Sequence, residues 1–140
     1  MRKEPISYYA RQLLDLKPIS FDIEVAMLAA AIDALSDCAL TCIGDTDADL
    51  GEPVVAEMVA CIRLCTDCAD VCSTAARITS RQFSYDPAVL RPLLDACAAS
   101  CRTSGEECER HALRHEHCRI CAEACRRGEQ ACRELLNAMK

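Results

Sequence analysis

The segment from Cys108 to Cys125, CERHALRHEHCRICAEAC, places four cysteines and three histidines within eighteen residues. Thiolate and imidazole groups are soft metal ligands, and thiols can also form disulfides or act as nucleophiles. The whole chain has 13 cysteines among 140 residues. An odd number fits disulfide pairing poorly, and the start, MRKEPISYYARQLLDLKP, has no apolar run and no small-residue cleavage site. We therefore expect reduced thiols in the cytosol, with metal binding as their leading use.

The cysteines recur at steps of three and four residues, the spacing that keeps side chains on one face of a helix. Such positions face the interior of a helical bundle, where Leu and Ile normally sit. A cysteine core buries less apolar surface than a leucine core, so packing alone does not explain the pattern. We expect metal ions along the axis, held by Cys38, Cys42, Cys61, Cys65, Cys68, Cys72, Cys97, Cys101, Cys108, Cys118, Cys121, Cys125 and Cys132.

Start and stop signals divide the chain into helices that would carry these side chains. Ser20 is a candidate N-cap and Gly44 a candidate C-terminal residue, Pro53 suits a first helical position, and Asp86 precedes Pro87 as an N-cap. We predict one all-α domain over residues 1–140, an antiparallel up-down four-helix bundle with a cysteine-lined core. The helices are predicted at 20–43, 53–79, 87–113 and 116–139, with a short extra helix near 6–16.

The acidic linker predicted after Gly44 resembles the start of a calcium-binding loop. Asp45, Asp47 and Asp49 have the alternating spacing, but the glycine falls one place late and Ala56 stands at the twelfth position, where a glutamate is needed. We therefore expect a solvated acidic turn.

The thiol spacing favours copper(I) over other metals. Structural zinc sites gather four ligands at an isolated knuckle, and the iron–sulfur run ending in Cys-Pro is absent from the sequence. Copper(I) is soft and prefers thiolate and thioether ligands. Pairs at i and i+4 could each hold one ion: Cys38/Cys42, Cys61/Cys65, Cys68/Cys72, Cys97/Cys101 and Cys121/Cys125. Zinc or mixed-metal sequestration, and an iron–sulfur electron carrier, remain the alternatives.

The cysteine spacing, together with the Cys108–Cys125 segment, resembles the four-helix-bundle copper storage proteins over about residues 20–140. The resemblance implies storage of many Cu(I) ions, a homo-oligomer that is typically a tetramer, and, for a chain without an export leader, a cytosolic location. Ser104 and Gly128 occupy positions where many members have cysteine, and Asp45 lies where the first bundle helix could have had a third. These departures imply either a lower capacity for this chain or a specialised branch of the family.

An antiparallel bundle would make its two ends chemically different. Cys42, Met58, Cys61, Cys108, His111, His115 and Cys118 would gather at one end, here called the ligand-rich end. The apolar end would hold Leu28, Ala75, Leu90, Leu94, Leu135 and Met139. We expect copper to enter at the ligand-rich end, with His111, His115 and Met58 as additional ligands; His117 lies off the spacing and is a weaker candidate.

Charge and motif content restrict the remaining functions. A net charge of −6 argues against a nucleic-acid partner, and we expect no membrane association. A uniform thiol array offers no single activated cysteine, so we expect storage or detoxification and no enzymatic activity. A copper chaperone or a small thiol would supply the metal.

Overall fold

The computed structural model describes residues 8–16, 23–82 and 86–139, and the ordered elements there are helical. A short helix, α1, comes first, and four longer helices follow. A single turn of 3₁₀ helix, Val55–Met58, precedes the third helix. The bounds are α1 Tyr8–Leu16, α2 Val25–Leu50, α3 Val59–Thr79, α4 Pro87–His111 and α5 Glu116–Ala138.

Helices α2 to α5 form a closed ring of four, as predicted. The helix pairs in contact are α2 with α3, α3 with α4, α4 with α5, and α5 with α2. Asp45 near the end of α2 lies against Cys61 near the start of α3 and Cys108 near the end of α4. Successive helices therefore run in opposite directions, which gives the antiparallel up-down arrangement.

The first bundle helix is longer than predicted, because Gly44 lies inside α2 and does not end it. No heavy atom lies within 4 Å of the position where a Gly44 Cβ would be, so nothing at this exposed site requires glycine. A glycine inside a helix costs only about 1 kcal/mol, and two further turns bury Asp45 and Asp49 in the core. The prediction of a solvated acidic turn was therefore wrong for these two residues, whereas Asp47 is exposed.

The ends of α3, α4 and α5 and the start of α4 and α5 lie within two residues of their predicted positions, whereas α2 and α3 begin five and six residues later than predicted. The Ala88 backbone N–H donates to Asp86 Oδ1 at 2.9 Å, so Asp86 caps α4. Helix α3 ends at Thr79 but begins at Val59, six residues after Pro53, because the 3₁₀ turn intervenes. Helix α4 ends two residues earlier than predicted, and α5 begins at Glu116. The proposed N-cap Ser20 lies outside the described residues; Glu24 occupies the cap position.

Helix α1 packs against α2 through a narrow contact. Leu14 is buried, whereas Tyr9, Leu13 and Leu16 remain more than half exposed. The short extra helix is therefore present over Tyr8–Leu16, and most of its apolar surface is uncovered in the single chain.

Helix α2 is long and apolar enough to cross a membrane, by length and composition alone. Half of its most apolar window is buried inside the bundle. The core helix of a bundle meets the same criterion, so this feature is weak evidence for a membrane span.

Candidate metal centre

The interior of the bundle is lined with cysteine side chains. All 13 are free thiols, and each is 0% exposed to solvent. Steps of three and four residues turn them inward from all four long helices, because that spacing follows one helix face. Every cysteine predicted as a ligand is therefore buried inside the bundle.

The thiol cluster nearest the apolar end is centred on Cys72. Its Sγ lies 3.4 Å from Cys101 Sγ, 3.6 Å from Cys97 Sγ and 3.8 Å from Cys68 Sγ. The two shortest of these contacts join α3 to α4. A ligand group of four sulfurs forms here, with all sulfurs within 4.8 Å of one another: Cys38, Cys68, Cys72 and Cys101.

A second cluster surrounds Cys42 and joins α2 to α5. Cys42 Sγ lies 3.7 Å from Cys121 Sγ and 3.8 Å from Cys125 Sγ. Cys38 connects this cluster to the first, because its Sγ is 3.9 Å from both Cys68 Sγ and Cys125 Sγ.

A third cluster, around Cys65, extends to the ligand-rich end. Cys65 Sγ lies 3.5 Å from Cys108 Sγ and 3.9 Å from both Cys61 Sγ and Cys121 Sγ. Its link to Cys121 connects it to the second cluster, so sulfur-to-sulfur contacts run without a break from Cys97 to Cys61. Most of them join different helices, although two predicted i, i+4 pairs, Cys61/Cys65 and Cys68/Cys72, are also in contact.

Hydrogen bonding among the thiols separates sulfurs that ionise readily from sulfurs that do not. Hydrogen bonds from neighbouring thiols, Cys121 foremost, lower the pKa of Cys125 to about 5. Cys72 has a raised pKa, because it hydrogen-bonds to Cys101 and is buried. A thiolate surrounded by S–H donors is stabilised by them, and each donor holds its proton more tightly as a result. A metal ion entering the network must therefore displace protons.

Two predicted axial positions lack cysteine, and the structure gives each a specific neighbour. Ser104 Oγ lies 3.4 Å from Cys65 Sγ and 3.5 Å from Cys125 Sγ, so its hydroxyl occupies the place of a thiol. At Gly128 an added Cβ would come within 3.0 Å of Cys101 Sγ. Glycine here lets α5 approach the sulfurs of α2 and α4.

Two buried carboxylates complete the ligand-rich end. Asp45 Oδ2 lies 3.5 Å from both Cys61 Sγ and Cys65 Sγ, and Asp49 Oδ1 lies 3.7 Å from Cys118 Sγ. Burial raises the pKa of Asp45, although its hydrogen bond to His117 opposes the shift. Burial and the charge of Asp45 raise the pKa of Asp49. The sequence placed Asp45 where a third cysteine of this helix could lie, but the pair was predicted in a solvated turn, although Asp45 and Asp49 both continue the three-and-four spacing of Cys42.

His117, the weakest histidine candidate from the sequence, contacts both the buried carboxylates and a thiol at this end. Its Nδ1 lies 2.6 Å from Asp45 Oδ1 and 3.6 Å from Cys118 Sγ, and its Nε2 lies 3.0 Å from Glu52 Oε1. Burial lowers the pKa of His117, but the hydrogen bonds to Asp45 and Glu52 outweigh it, and the net shift is upward. The helical spacing could not reveal this position, because its partners belong to α2 and the following turn.

The additional ligands predicted from the sequence also lie at this end. His111 Nε2 is 2.8 Å from Glu107 Oε2, and His115 Nδ1 is 3.3 Å from Glu52 Oε1. Met58 is completely buried. The three histidine side chains retain 14–25% exposure, so all three imidazoles are partly accessible to solvent.

The opposite end of the axis is closed by hydrocarbon. The predicted residues there are all buried: Leu28, Ala75, Leu90, Leu94, Leu135 and Met139. The two ends therefore differ as expected, with polar and imidazole groups at one and apolar side chains at the other.

The match of a family model to the chain decides what this thiol-lined bundle is. The model described as "Copper storage protein" matches residues 24–137, which span the whole four-helix bundle. The chain belongs to the copper storage protein family. The family predicted from the sequence is therefore confirmed, as are the four-helix fold and copper as the stored metal.

Solved structures of copper storage proteins share this fold closely. The Streptomyces lividans copper storage protein Ccsp, loaded with 10 copper equivalents, is 46% identical, with a TM-score of 0.90 over 93% of this chain and 99% of that one. A structure of copper loading to a cytosolic copper storage protein from S. lividans, with five coppers, is 50% identical; its TM-score is 0.81 over 82% and 96% of the two chains.

A curated bacterial protein is also similar in sequence. The uncharacterized cysteine-rich protein YhjQ of Bacillus subtilis (strain 168) is 33% identical over 106 residues, which cover 76% of this chain and 93% of that protein. The copper storage protein described here therefore matches these relatives over nearly their full lengths.

Proposed function

We propose that this copper storage protein holds several Cu(I) ions in the cytosol by means of its core thiolates, without catalysis. The continuous network of buried, free thiols carries the proposal, since its sulfurs lie 3.4–3.9 Å apart from Cys97 to Cys61. At such spacing one sulfur can contact more than one ion, and capacity then depends on the array as a whole. The S. lividans proteins loaded with five and ten coppers support multiple occupancy.

The charge and softness of Cu(I) suit this interior. Each ion that replaces a thiol proton adds no net charge, so a dry core can fill without accumulating unpaired charge. Thiolate is also the ligand that soft Cu(I) selects. Zinc or mixed-metal sequestration and an iron–sulfur cluster are the competing occupants that a metal titration distinguishes.

The complete burial of the thiols supports storage without catalysis. A catalytic thiol needs a distinctive, partly exposed, electropositive setting. The thirteen cysteines are instead fully buried, and buried carboxylates lie against Cys61 and Cys118. The family to which the chain belongs is one of storage proteins.

Copper entry at the ligand-rich end is the most direct path to the thiols. His111, His115 and His117 are partly exposed there, and the apolar end is closed. We propose His111 and His115 as the first ligands and Met58 as a thioether ligand beneath them. The metal would come from a copper chaperone or a small-thiol complex, because free Cu(I) does not persist in a thiol-rich cytosol.

Assembly of several copies is the remaining part of the proposal. The exposed apolar side chains of Tyr9, Leu13 and Leu16 on α1 would be covered in a homo-oligomer, which the family resemblance indicates is a tetramer. Light scattering at several protein concentrations measures this state directly.

Anaerobic titration of the reduced protein with Cu(I), against a strong competing chelator, tests the storage function. We expect several ions bound per chain, with ultraviolet charge-transfer absorption and no visible bands. Preferential retention of Zn²⁺, or a brown iron–sulfur chromophore in protein purified anaerobically, would replace copper with one of the alternatives.

Stopped-flow loading of His111→Ala and Met58→Leu tests the path of entry. We expect both variants to take up copper more slowly than the unsubstituted protein. The number of copper ions finally bound should be unchanged in His111→Ala. Met27→Leu is the matched control, since Met27 is exposed near the beginning of α2. Uptake rates equal to those of the control in both variants would remove the proposed path.

A further inference from the structure

Gly128 faces the thiol array at a place where α5 contributes no sulfur. It is buried and lies between Cys125 and Cys132 on the inward face of α5. A Cβ added there would lie 3.0 Å from Cys101 Sγ and 3.5 Å from Cys38 Sγ. Carbon atoms pack at about 3.5–4.0 Å, and sulfur is larger than carbon. Any side chain at residue 128 would therefore have to displace the Cys101 sulfur.

The two sulfurs beside Gly128 belong to a ligand group drawn from the other three long helices. Cys101 Sγ lies 3.4 Å from Cys72 Sγ and 3.9 Å from Cys68 Sγ. Cys38 Sγ also lies 3.9 Å from Cys68 Sγ. All four sulfurs lie within 4.8 Å of one another and come from α2, α3 and α4, whereas the next group along the axis includes a cysteine of α5. Helix α5 therefore gives this four-sulfur group room and offers it no ligand.

We propose that Gly128 is a positioning residue for copper binding, which keeps the sulfurs of Cys101 and Cys38 within one ligand group. The inference rests on the proposed storage function and assigns a role to a residue without a ligand atom. An ion shared by thiolates of several helices needs each sulfur to stay within reach of it. A side chain at residue 128 would force the Cys101 sulfur out of the group, or α5 away from α2 and α4.

The competing interpretation is that Gly128 is simply a ligand that this chain lacks, since its position continues the cysteine spacing of α5. The two interpretations differ in what they expect of Gly128→Cys. A missing ligand would be restored, and the variant would bind an additional ion. If Gly128 instead positions Cys101, the Cβ of the new cysteine displaces one sulfur while its own sulfur is added. We therefore expect Gly128→Cys to bind no more Cu(I) than the unsubstituted protein.

Gly128→Ala tests the proposal in the anaerobic titration with Cu(I) against a competing chelator. We expect the ions of this group to be held at least about tenfold more weakly, so that fewer ions per chain resist the chelator. Far-ultraviolet circular dichroism of the copper-free protein checks that the bundle is intact.

Gly105→Ala is the matched control, because Gly105 is also buried where α4 meets α5. A Cβ there would lie 3.3 Å from Cys125 Cβ and 3.5 Å from Arg126 Nε. The substitution therefore crowds the same pair of helices against carbon and nitrogen atoms. We expect it to leave the number of chelator-resistant copper ions unchanged.

Removal of the Cys101 sulfur distinguishes positioning from a general disturbance of the bundle. Cys101→Ala lacks the atom that a residue-128 Cβ would displace, so adding Gly128→Ala to it should remove no further copper. A merely structural role predicts that the two substitutions lower the copper count independently. Independent losses, an unchanged copper count in Gly128→Ala, or an additional ion in Gly128→Cys would each overturn the proposal.

The unsubstituted protein separates this proposal from the storage function on which it rests. Several Cu(I) ions bound there, with the same number in Gly128→Ala, would remove only the role of Gly128. An unsubstituted protein that retains no copper against the chelator would remove the storage function, and this proposal with it.

Discussion

The hydroxyl oxygen of Ser104 lies 3.4 Å from the sulfur of Cys65, at a position on the bundle axis that a thiol could occupy. It also accepts a hydrogen bond from Cys125 at 3.5 Å. Ser104 is completely buried, so a hydroxyl oxygen lies among the sulfur atoms at this position in the core.

Replacement of that oxygen by sulfur is expected to increase copper capacity. Ser104→Cys would bind about one additional Cu(I) ion in the chelator-competition titration, because the new thiolate lies within reach of two existing ones. Thr103→Cys is the matched control. Thr103 precedes Ser104 in α4 and is exposed, so a cysteine there should add no copper that resists the chelator. If Ser104→Cys and Thr103→Cys bind the same number of copper ions, a place for the cysteine on the bundle axis is not what retains copper.

Substitution of Gly128 and Gly44 by alanine should affect the free energy of unfolding differently. Gly44→Ala is expected to raise the free energy of unfolding by about 1 kcal/mol, because the site is open and alanine favours the helix. Gly128→Ala would place a methyl group 3.0 Å from Cys101 Sγ. Overpacking of about 1–3 kcal/mol then offsets the gain in helix propensity. Urea unfolding of the copper-free variants measures both; a Gly128→Ala protein as stable as Gly44→Ala would contradict the close approach.

The ion pair between His117 and Asp45 predicts how stability depends on pH. The pKa of His117 is raised in the folded chain. At pH values above the ordinary histidine pKa of about 6.5, the folded state therefore binds more protons than the unfolded state. This stabilisation is complete below about pH 6.5 and is lost as the pH rises through the raised pKa of His117.

Urea unfolding of the metal-free protein across pH 6 to 9 measures that loss. In Asp45→Asn the decline should be smaller, because a hydrogen-bond partner of His117 is neutral and Asp45 itself no longer titrates. Asp47→Asn should keep the wild-type profile, since Asp47 is exposed. If the free energy of unfolding of the wild type did not change across this pH range, the proposed coupling of stability to His117 protonation would be wrong.

Copper loading should release protons. Thiols such as Cys72 and Cys118 have raised pKa values and are protonated at neutral pH, so a bound Cu(I) ion must displace their protons. We expect close to one proton released per copper at the protonated thiols and none from Cys125, whose lowered pKa leaves it ionised at neutral pH, measured with an indicator dye in weak buffer. Affinity should fall correspondingly as the pH is lowered, and a copper affinity independent of pH would indicate that the thiols are already ionised.

The cysteine positions could be predicted because the information is local. Steps of three and four residues determine which face of a helix a side chain occupies, whatever the helix packs against. The end of α2 could not be predicted in the same way. Gly44 looked like a stop signal, but the burial of Asp45 and Asp49 favours a helix that continues to Leu50.

His117 illustrates the limit of spacing arguments at the site itself. It lies one residue away from the inward face marked by Cys118, so its position in the sequence suggested a surface side chain. Its importance comes from Asp45 and Glu52, which are 72 and 65 residues distant along the chain.

By itself the sequence determined the helical bundle, the inward-facing thiols and the family, since helical periodicity and ligand chemistry are properties of short segments. The tertiary structure decided which sulfurs touch across helices and brought the Asp45–Asp49 pair onto Cys61 and Cys118. Contacts between helices depend on their lengths, relative heights and rotations, which follow from packing of the whole bundle and from no single segment.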